Sequence, residues 1–404
     1  MNKKLGNPGL MLVDLRPAAY PIAVIASHEI AEQISRASKL FPWSTSKSPT
    51  VNAFDRLIGS RSIIGRQGEE WKHLRKRFNP GFAPHHLMTL LPCILDKTRP
   101  FLEHLDGYAK TGDEFLLDDL TVNLTFDIIS NVVMDVDFDA QHPGTTRQGD
   151  RNGLWWLRPR VEWHRHQIDS RLNQTLWDMI RQKYAEQKQQ GVSQNLRSVL
   201  GLSLQGVDHL SDALIKDTGD QIRSFLFAGD DTTAILLGWI FYELSRTPAA
   251  LKAVRDELDD IFGRDAVVVR EKLVSREGED AIRRMTFTSA VIKEALCLHP
   301  PAGTARRALP GSGFMVRTTQ GEGLCLDGLL VVYNCANIIQ RDRPAWRPFE
   351  RGPRNCIGQE LANIEARQFE VESELYSTRQ ITSKSIDGTR MRVQLAPRAL
   401  VKPL

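Results

Sequence analysis

The chain has 404 residues, with 53 Lys and Arg against 49 Asp and Glu, a formal net charge of +4, and 41% hydrophobic residues. So mild a basic surplus excludes charge-driven binding to nucleic acid, and the hydrophobic share is that of an ordinary globular protein with ample core. Five separated cysteines, at 93, 297, 325, 335 and 356, form no C-x-x-C pair, which argues against a disulfide framework or structural zinc and suits a reducing compartment.

No stretch approaches the roughly 20 apolar residues that cross a bilayer. The start has basic residues but no apolar region behind them, so it is not a signal peptide. Residues 9–15 and 20–26 carry apolar residues around Arg16-Pro17 and predict a hairpin, with a helix from about Ser27 to Ser38. A basic helix over 68–78 bears Trp71 and Arg75 and is stopped by Asn79-Pro80-Gly81. Helical periodicity resumes over 84–110 and 115–135, the polar section 141–153 reads as a loop, and 160–190 reads as one long helix. The longest helix runs from about Asp212 to Ser245. Thr247-Pro248 then opens a helix whose Leu251, Val254, Leu258 and Ile261 form one stripe and which ends at Gly263. A further helix over 286–299 is closed by Pro300-Pro301, and 302–335 holds short strands between glycine turns. No repeat and no linker divides the chain, so 1–404 reads as one mainly helical domain.

The chemistry concentrates in Phe349-Glu350-Arg351-Gly352-Pro353-Arg354-Asn355-Cys356-Ile357-Gly358, the pattern F-x-x-G-x-R-x-C-x-G. Here a loop delivers one cysteine to the start of a helix running from Gln359 to about Phe369. A helix N-terminus offers unsatisfied N–H donors and partial positive charge, which favour a thiolate. Gly352 and Gly358 leave room for a flat object against the backbone, and Arg354 can meet an anionic group on it. A thiolate bound to haem iron is the chemistry that fits. Ala228-Gly229-Asp230-Asp231-Thr232-Thr233 interrupts the long helix with residues of low helix propensity, which calls for a function there. Trp71 and Arg75, one turn apart, share a face on which an indole N–H and a guanidinium suit a carboxylate. His164 with His166, and His85 with His86, have no third ligand nearby in sequence and read as surface residues.

These segments resemble the cytochrome P-450 family. The cysteine loop resembles its haem-ligand loop, Ala228–Thr233 its oxygen-activation motif A-G-x-D-T-T, and Trp71-Lys72-His73-Leu74-Arg75 its W-x-x-x-R signature. Trp346 to Ala362 reads like filamentous-fungal members of secondary metabolism. The resemblance implies a mainly α, P-450-like single domain with a long central helix and small β-sheets, and haem b with Cys356 as axial ligand. It implies propionate partners in Trp71, Arg75 and one of Arg306 and Arg307. It also implies a locally widened groove beside Ala228 and Gly229, where Thr232 donates a hydrogen bond and Asp231 relays protons. Electrons would come from NADPH through a reductase, and Lys72, His73, Lys76 and Arg77 read either as a solvated basic helix face or as the docking face for that acidic partner. The enzyme would be a monomer inserting one atom of dioxygen into a lipophilic small molecule, on the cytosolic side of the endoplasmic reticulum or, lacking an anchor, in the cytoplasm.

The pattern breaks in three places, and the expectation is a shortened product. The chain begins after the family's membrane helix. Glu294-Ala295-Leu296-Cys297 carries cysteine where the E-x-x-R motif has arginine, and the later arginine-bearing loop is missing where Arg341-Asp342-Arg343 runs almost directly into Trp346. The apolar helix after Arg367 also stops early. A buried Glu294 robbed of its partners would cost on the order of 3–5 kcal/mol, so a catalytically impaired or silent haem-binding relative is the alternative.

Overall fold

The computed structural model describes residues 9–17, 20–142, 158–190, 198–263, 266–318, 320–333, 346–373, 376–380 and 390–395. β1 (Leu10–Val13) and β2 (Ile22–Ile25) form the expected antiparallel hairpin, Leu10 opposite Ile25. α1 (His28–Ser35) follows, with the Ser27 hydroxyl accepting from the Ile30 amide at its start. α2 (Asp55–Ile58) leads to α3 (Gly68–Phe78), which has the predicted bounds, and then α4 (Pro84–Thr89) and α5 (Leu91–Thr111). β3 (Phe115–Leu116) precedes α6 (Leu117–Met134). The predicted loop at 141–153 lies almost wholly outside the described residues. Next come α7 (Arg158–Gln190), the short α8 (Val199–Ser203) and the 35-residue α9 (Asp212–Arg246), capped by Ser211.

α10 (Pro248–Phe262) starts on its proline and stops at Gly263, whose φ of +82° suits glycine. α11 (Ala266–Val274) and α12 (Gly278–Arg284) lie where no helix is expected from periodicity, and α13 (Thr286–Leu298) lies where one is. β4 (Thr304–Arg307), β5 (Met315–Arg317), β6 (Gly323–Cys325) and β7 (Leu330–Tyr333) are the short strands expected. α14 (Gln359–Ser373) runs four residues past Phe369, followed by β8 (Tyr376–Gln380) and β9 (Arg390–Leu395). The strands form small sheets in the orders β1-β2-β7-β4, β3-β9-β8 and β5-β6, with β2 and β7 parallel. The architecture is mainly helical, as expected.

The main core is built where α6 lies along α9. Leu124, Ile128, Ile129 and Val132 of α6 are buried with Ile222, Phe225, Leu236 and Ile240 of α9. A Cβ on Gly229 would come within 2.6 Å of Ile129, so this glycine lets the two helices meet. α9 stays an unbroken α-helix through the Ala228–Thr233 segment. A smaller core under the four-stranded sheet joins Ile25, Ile30 and Ile34 to Phe314 and Val331. One expectation fails: Glu294 is exposed on α13, so its carboxylate stays in water and no buried, unpaired charge exists there. The segment 334–345, which holds Cys335 and Arg341–Arg343, lies outside the described residues.

Candidate active site

Cys356 stands at the end of a closed loop. Its amide donates to the Phe349 carbonyl (2.8 Å), and the Asn355 amide donates to the Gly352 carbonyl (3.2 Å). The sulfur receives the Gly358 and Gln359 amides at the head of α14, the anion-favouring geometry expected. Its surroundings still push the thiol up, because desolvation deep in the fold outweighs those amides and the charges of Arg75 and Lys47. The thiol is nevertheless accessible, facing a cavity of about 450 Å³ that Arg75, Phe82, Asn355, Gln359 and Glu360 also line. A Cβ on Gly358 would meet only the sulfur, at 4.0 Å, so that side of the loop is open. Gly352 has a different reason: at φ +78° a Cβ would strike the Ser35 carbonyl at 2.2 Å, so this glycine makes room for the end of α1.

Arg75 gives both guanidinium ends to Asn355, to its carbonyl (2.8 Å) and its Oδ1 (2.9 Å), tying α3 to the residue before Cys356. Trp71 is buried, with the Arg354 guanidinium over its ring at 4.7 Å. Arg354 donates to the carbonyls of Arg66 (2.8 Å), Ile63 (3.4 Å) and Ile64 (3.3 Å). Burial, then the charges of Arg306 and Arg75, pull its pKa down to about 9.

Strand alternation decides between the two arginines of β4. Arg306 points inward and is wholly buried, whereas Arg307 lies over the Tyr20 ring. Arg306 Nη1 reaches the Ser44 hydroxyl (3.3 Å) and the Thr45 carbonyl (3.2 Å), while its Nε and Nη2 have no hydrogen-bond partner. Lys47 sits across an isolated bridge from Arg306. Desolvation, then repulsion from Arg306 and Arg354, lowers its pKa to about 7. Nothing in Ser46-Lys47-Ser48 marked this lysine, because only the pairing of residues 259 positions apart in sequence brings it here.

On α9, the Thr232 hydroxyl donates to the Ala228 carbonyl (2.7 Å), Asp231 is exposed, and Asp230 is buried. The Thr125 hydroxyl of α6 donates to the Asp230 carbonyl at 2.9 Å. Glu365 of α14 is buried with one carboxylate oxygen lacking a hydrogen-bond partner, and desolvation, then the nearby Asp230 charge, pushes its pKa well up. α14 thus carries the Cys356 end of the fold to the Asp230 turn of α9. Of the expected basic patch, Lys72, His73 and Lys76 are exposed. Arg77 turns inward to the Ser203 carbonyl (3.0 Å) and the Thr218 hydroxyl (2.8 Å), because α8 and α9 supply acceptors on that face. Among the described residues no cluster of three or more potential metal ligands occurs.

Residues 11–311 match the family model of cytochrome P450. The chain belongs to the cytochrome P450 family. Cytochrome P450 monooxygenase acrF of Aspergillus aculeatus is 28% identical over 429 residues, covering 90% of this chain and 82% of that protein. A span that long crosses the Cys356 loop wherever it begins, although the family match stops at residue 311. It also exceeds the 404 residues of this chain, so the relative has internal residues without counterparts here. Cytochrome P450 monooxygenase polC of Polytolypa hystricis is 29% identical, covering 88% and 70%. The crystal structure of cytochrome P450 CYP102L1 superposes with a TM-score of 0.75 over 97% of this chain and 96% of its own, at 17% identity, which shows the same fold. These comparisons make the chain a P450 oxidoreductase of the monooxygenase type.

Membership in the P450 family implies a haem-thiolate cofactor, and the residues present fit one. Arg306 and Arg354 are buried and Lys47 is half-buried beside them, and the pKa values of Lys47 and Arg354 are depressed by desolvation first and by repulsion within the cluster second. Arg306 keeps two donor nitrogens without hydrogen-bond partners inside it, with Glu350, 4.0 Å from Nη2, as its one nearby anion among the described residues. A buried cation needs a counter-ion, and a ligand with two carboxylates beside a thiol supplies one.

Proposed function

We propose that this P450 inserts one atom of dioxygen into a lipophilic small molecule of fungal secondary metabolism, with Cys356 holding haem b. Bound there, haem supplies oxygen activation, for which a thiolate ligand is the electron-rich partner. The supporting observation is the under-compensated cluster of Arg306, Lys47 and Arg354 beside the cysteine loop. Arg306 and Lys47 would hold the propionates. Arg354, with Trp71 packed under it, and Arg75, clasped to Asn355, would fix the loop around them. Phe349 closes the loop, Gly352 seats it on α1, and Gly358 keeps its open face clear for the ring.

Thr232 and Asp231 are proposed to manage protons at the oxygen site, with Ala228 and Gly229 forming its floor. The exposed Asp231 can exchange protons with water and pass them inward, the part of a general acid. Thr232 now bonds back along its own helix, and rotation of its hydroxyl would aim that donor outward. The exposed Lys72, His73 and Lys76 on α3 suit the docking of an acidic reductase fed by NADPH. Membership of secondary metabolism rests on the likeness to fungal relatives, and lipid-side residence on family resemblance. Among the described residues no helix is long and apolar enough to cross a membrane.

A second reading, a silent haem-binding relative, draws on Cys297 and the exposed Glu294, where the family's charge pair is gone. Product formation by the purified chain with a fungal reductase and NADPH separates the two. Turnover of any panel substrate supports the monooxygenase, whereas haem uptake with only peroxide formed favours the silent relative.

A further inference from the structure

We propose that Glu350 is a positioning residue that pins the cysteine loop between α1 and β4; the role of that loop rests on the function proposed above. Glu350 lies at φ +61°, a conformation that a residue with a side chain adopts only when its surroundings impose it. Its side chain is nearly buried, at 9% exposure. One oxygen accepts from the Thr304 hydroxyl of β4 at 2.7 Å. The other accepts from Arg347 Nη2 at 3.2 Å and from the Arg351 amide at 3.1 Å. Arg306 Nη2 stands 4.0 Å away.

Arg347 carries the tie onward. It is buried, donates to the Ser35 hydroxyl at 2.7 Å, and faces Glu32 at 3.5 Å. Arg351 faces the same Glu32 at 3.7 Å. The loop that bears Cys356 is thereby held to the last turn of α1 by two arginines and to β4 by one carboxylate. Glu350 is the shared centre of both ties. It is also the anion that partly offsets Lys47 and lies beside Arg306, so it fixes the arginines around the ligand as well as the backbone. Hydrogen bonds to a buried carboxylate are the strong kind, and one partner lost leaves others uncompensated. Glu294, exposed on α13, contributes nothing comparable.

The test compares Glu350→Gln, Glu350→Asp and Glu350→Gly with the parent in the full chain. Gln keeps the shape but loses the charge and one set of acceptors, Asp keeps the charge, and Gly relieves the backbone while removing the carboxylate. Amide hydrogen exchange of residues 347–356 is read in the haem-free and haem-loaded protein, with haem loss to an excess of a scavenging globin. The Gln and Gly variants are expected to exchange and to lose haem on the order of tenfold faster, Asp staying near the parent. A Gly or Gln variant with parental protection overturns the inference, because the turn alone would then suffice. The haem-free exchange decides this even if the parent takes up no haem, an outcome that sinks the proposed function instead.

Discussion

Lys47 shows how one residue can report on a ligand. Its folded pKa of about 7 lies below the ordinary lysine value, so above pH 7 the folded haem-free chain has shed a proton that the unfolded chain keeps. The burial cost is fully present below pH 7, and stability is expected to rise as pH climbs from there toward the ordinary value. A bound dianion restores the charge, so haem uptake at about pH 8 should take up close to one proton through Lys47, and far less at about pH 6. Calorimetric titrations in buffers of different ionisation enthalpy measure this, with Lys47→Met as control; equal uptake in both proteins would remove Lys47 from the site. Thr232 makes a separate residue-scale prediction. Thr232→Ala should bind haem normally and divert reducing equivalents to peroxide, since the hydroxyl donor is gone while Asp231 and the cradle are intact. Unchanged coupling of NADPH to product, measured beside the parent, would take Thr232 out of proton management.

The helices were legible where periodicity and caps agreed, and their partners were not. Pro248 and Gly263 marked α10 closely, because each meets a backbone need that is local in sequence, whereas Thr247 makes no side-chain cap bond and the Ser211 cap of α9 was not read. α8 and α12 are too short to set a period, α11 gathers its apolar residues on no one face, and all three went unread. Gly229 was noticed as a weak spot in a helix, yet its neighbour Ile129 lies 100 positions earlier, and only packing reveals it. Gly229→Ala gains about 1 kcal/mol of helix propensity and meets overpacking of about 1–3 kcal/mol against Ile129. A net loss of about 1 kcal/mol is expected in denaturant melts, and a smaller one in an Ile129→Ala background. Equal losses in both backgrounds would mean that the glycine serves the oxygen site rather than the α6–α9 contact. Arg77 makes the same point in reverse: its place among basic neighbours suggested a surface patch, and acceptors on α8 and α9 drew it inward.

For the molecule as a whole, three motifs in one order carried the family, because haem-thiolate chemistry demands its own loop and helix residues whatever the rest does. The scaffold behind them was misread. Glu294 was expected to be a buried charge without partners, but it faces water, and the loop is tied to α1 and β4 by Arg347 and Glu350, whose partners Glu32, Ser35 and Thr304 lie too far off in sequence for a local pattern to record. Cys297→Arg is therefore expected to change stability by no more than about 1 kcal/mol, the range of an exposed pair, in a thermal melt. A larger gain would mean that Glu294 becomes buried in solution. The most direct measurement of the central claim is the absorption spectrum of the reduced, carbon-monoxide-bound protein, taken for the parent and for Cys356→Ala. A thiolate-type spectrum is expected in the parent and its loss in the variant, with the helical circular dichroism of both alike. A thiolate-type spectrum that survives in Cys356→Ala would contradict it.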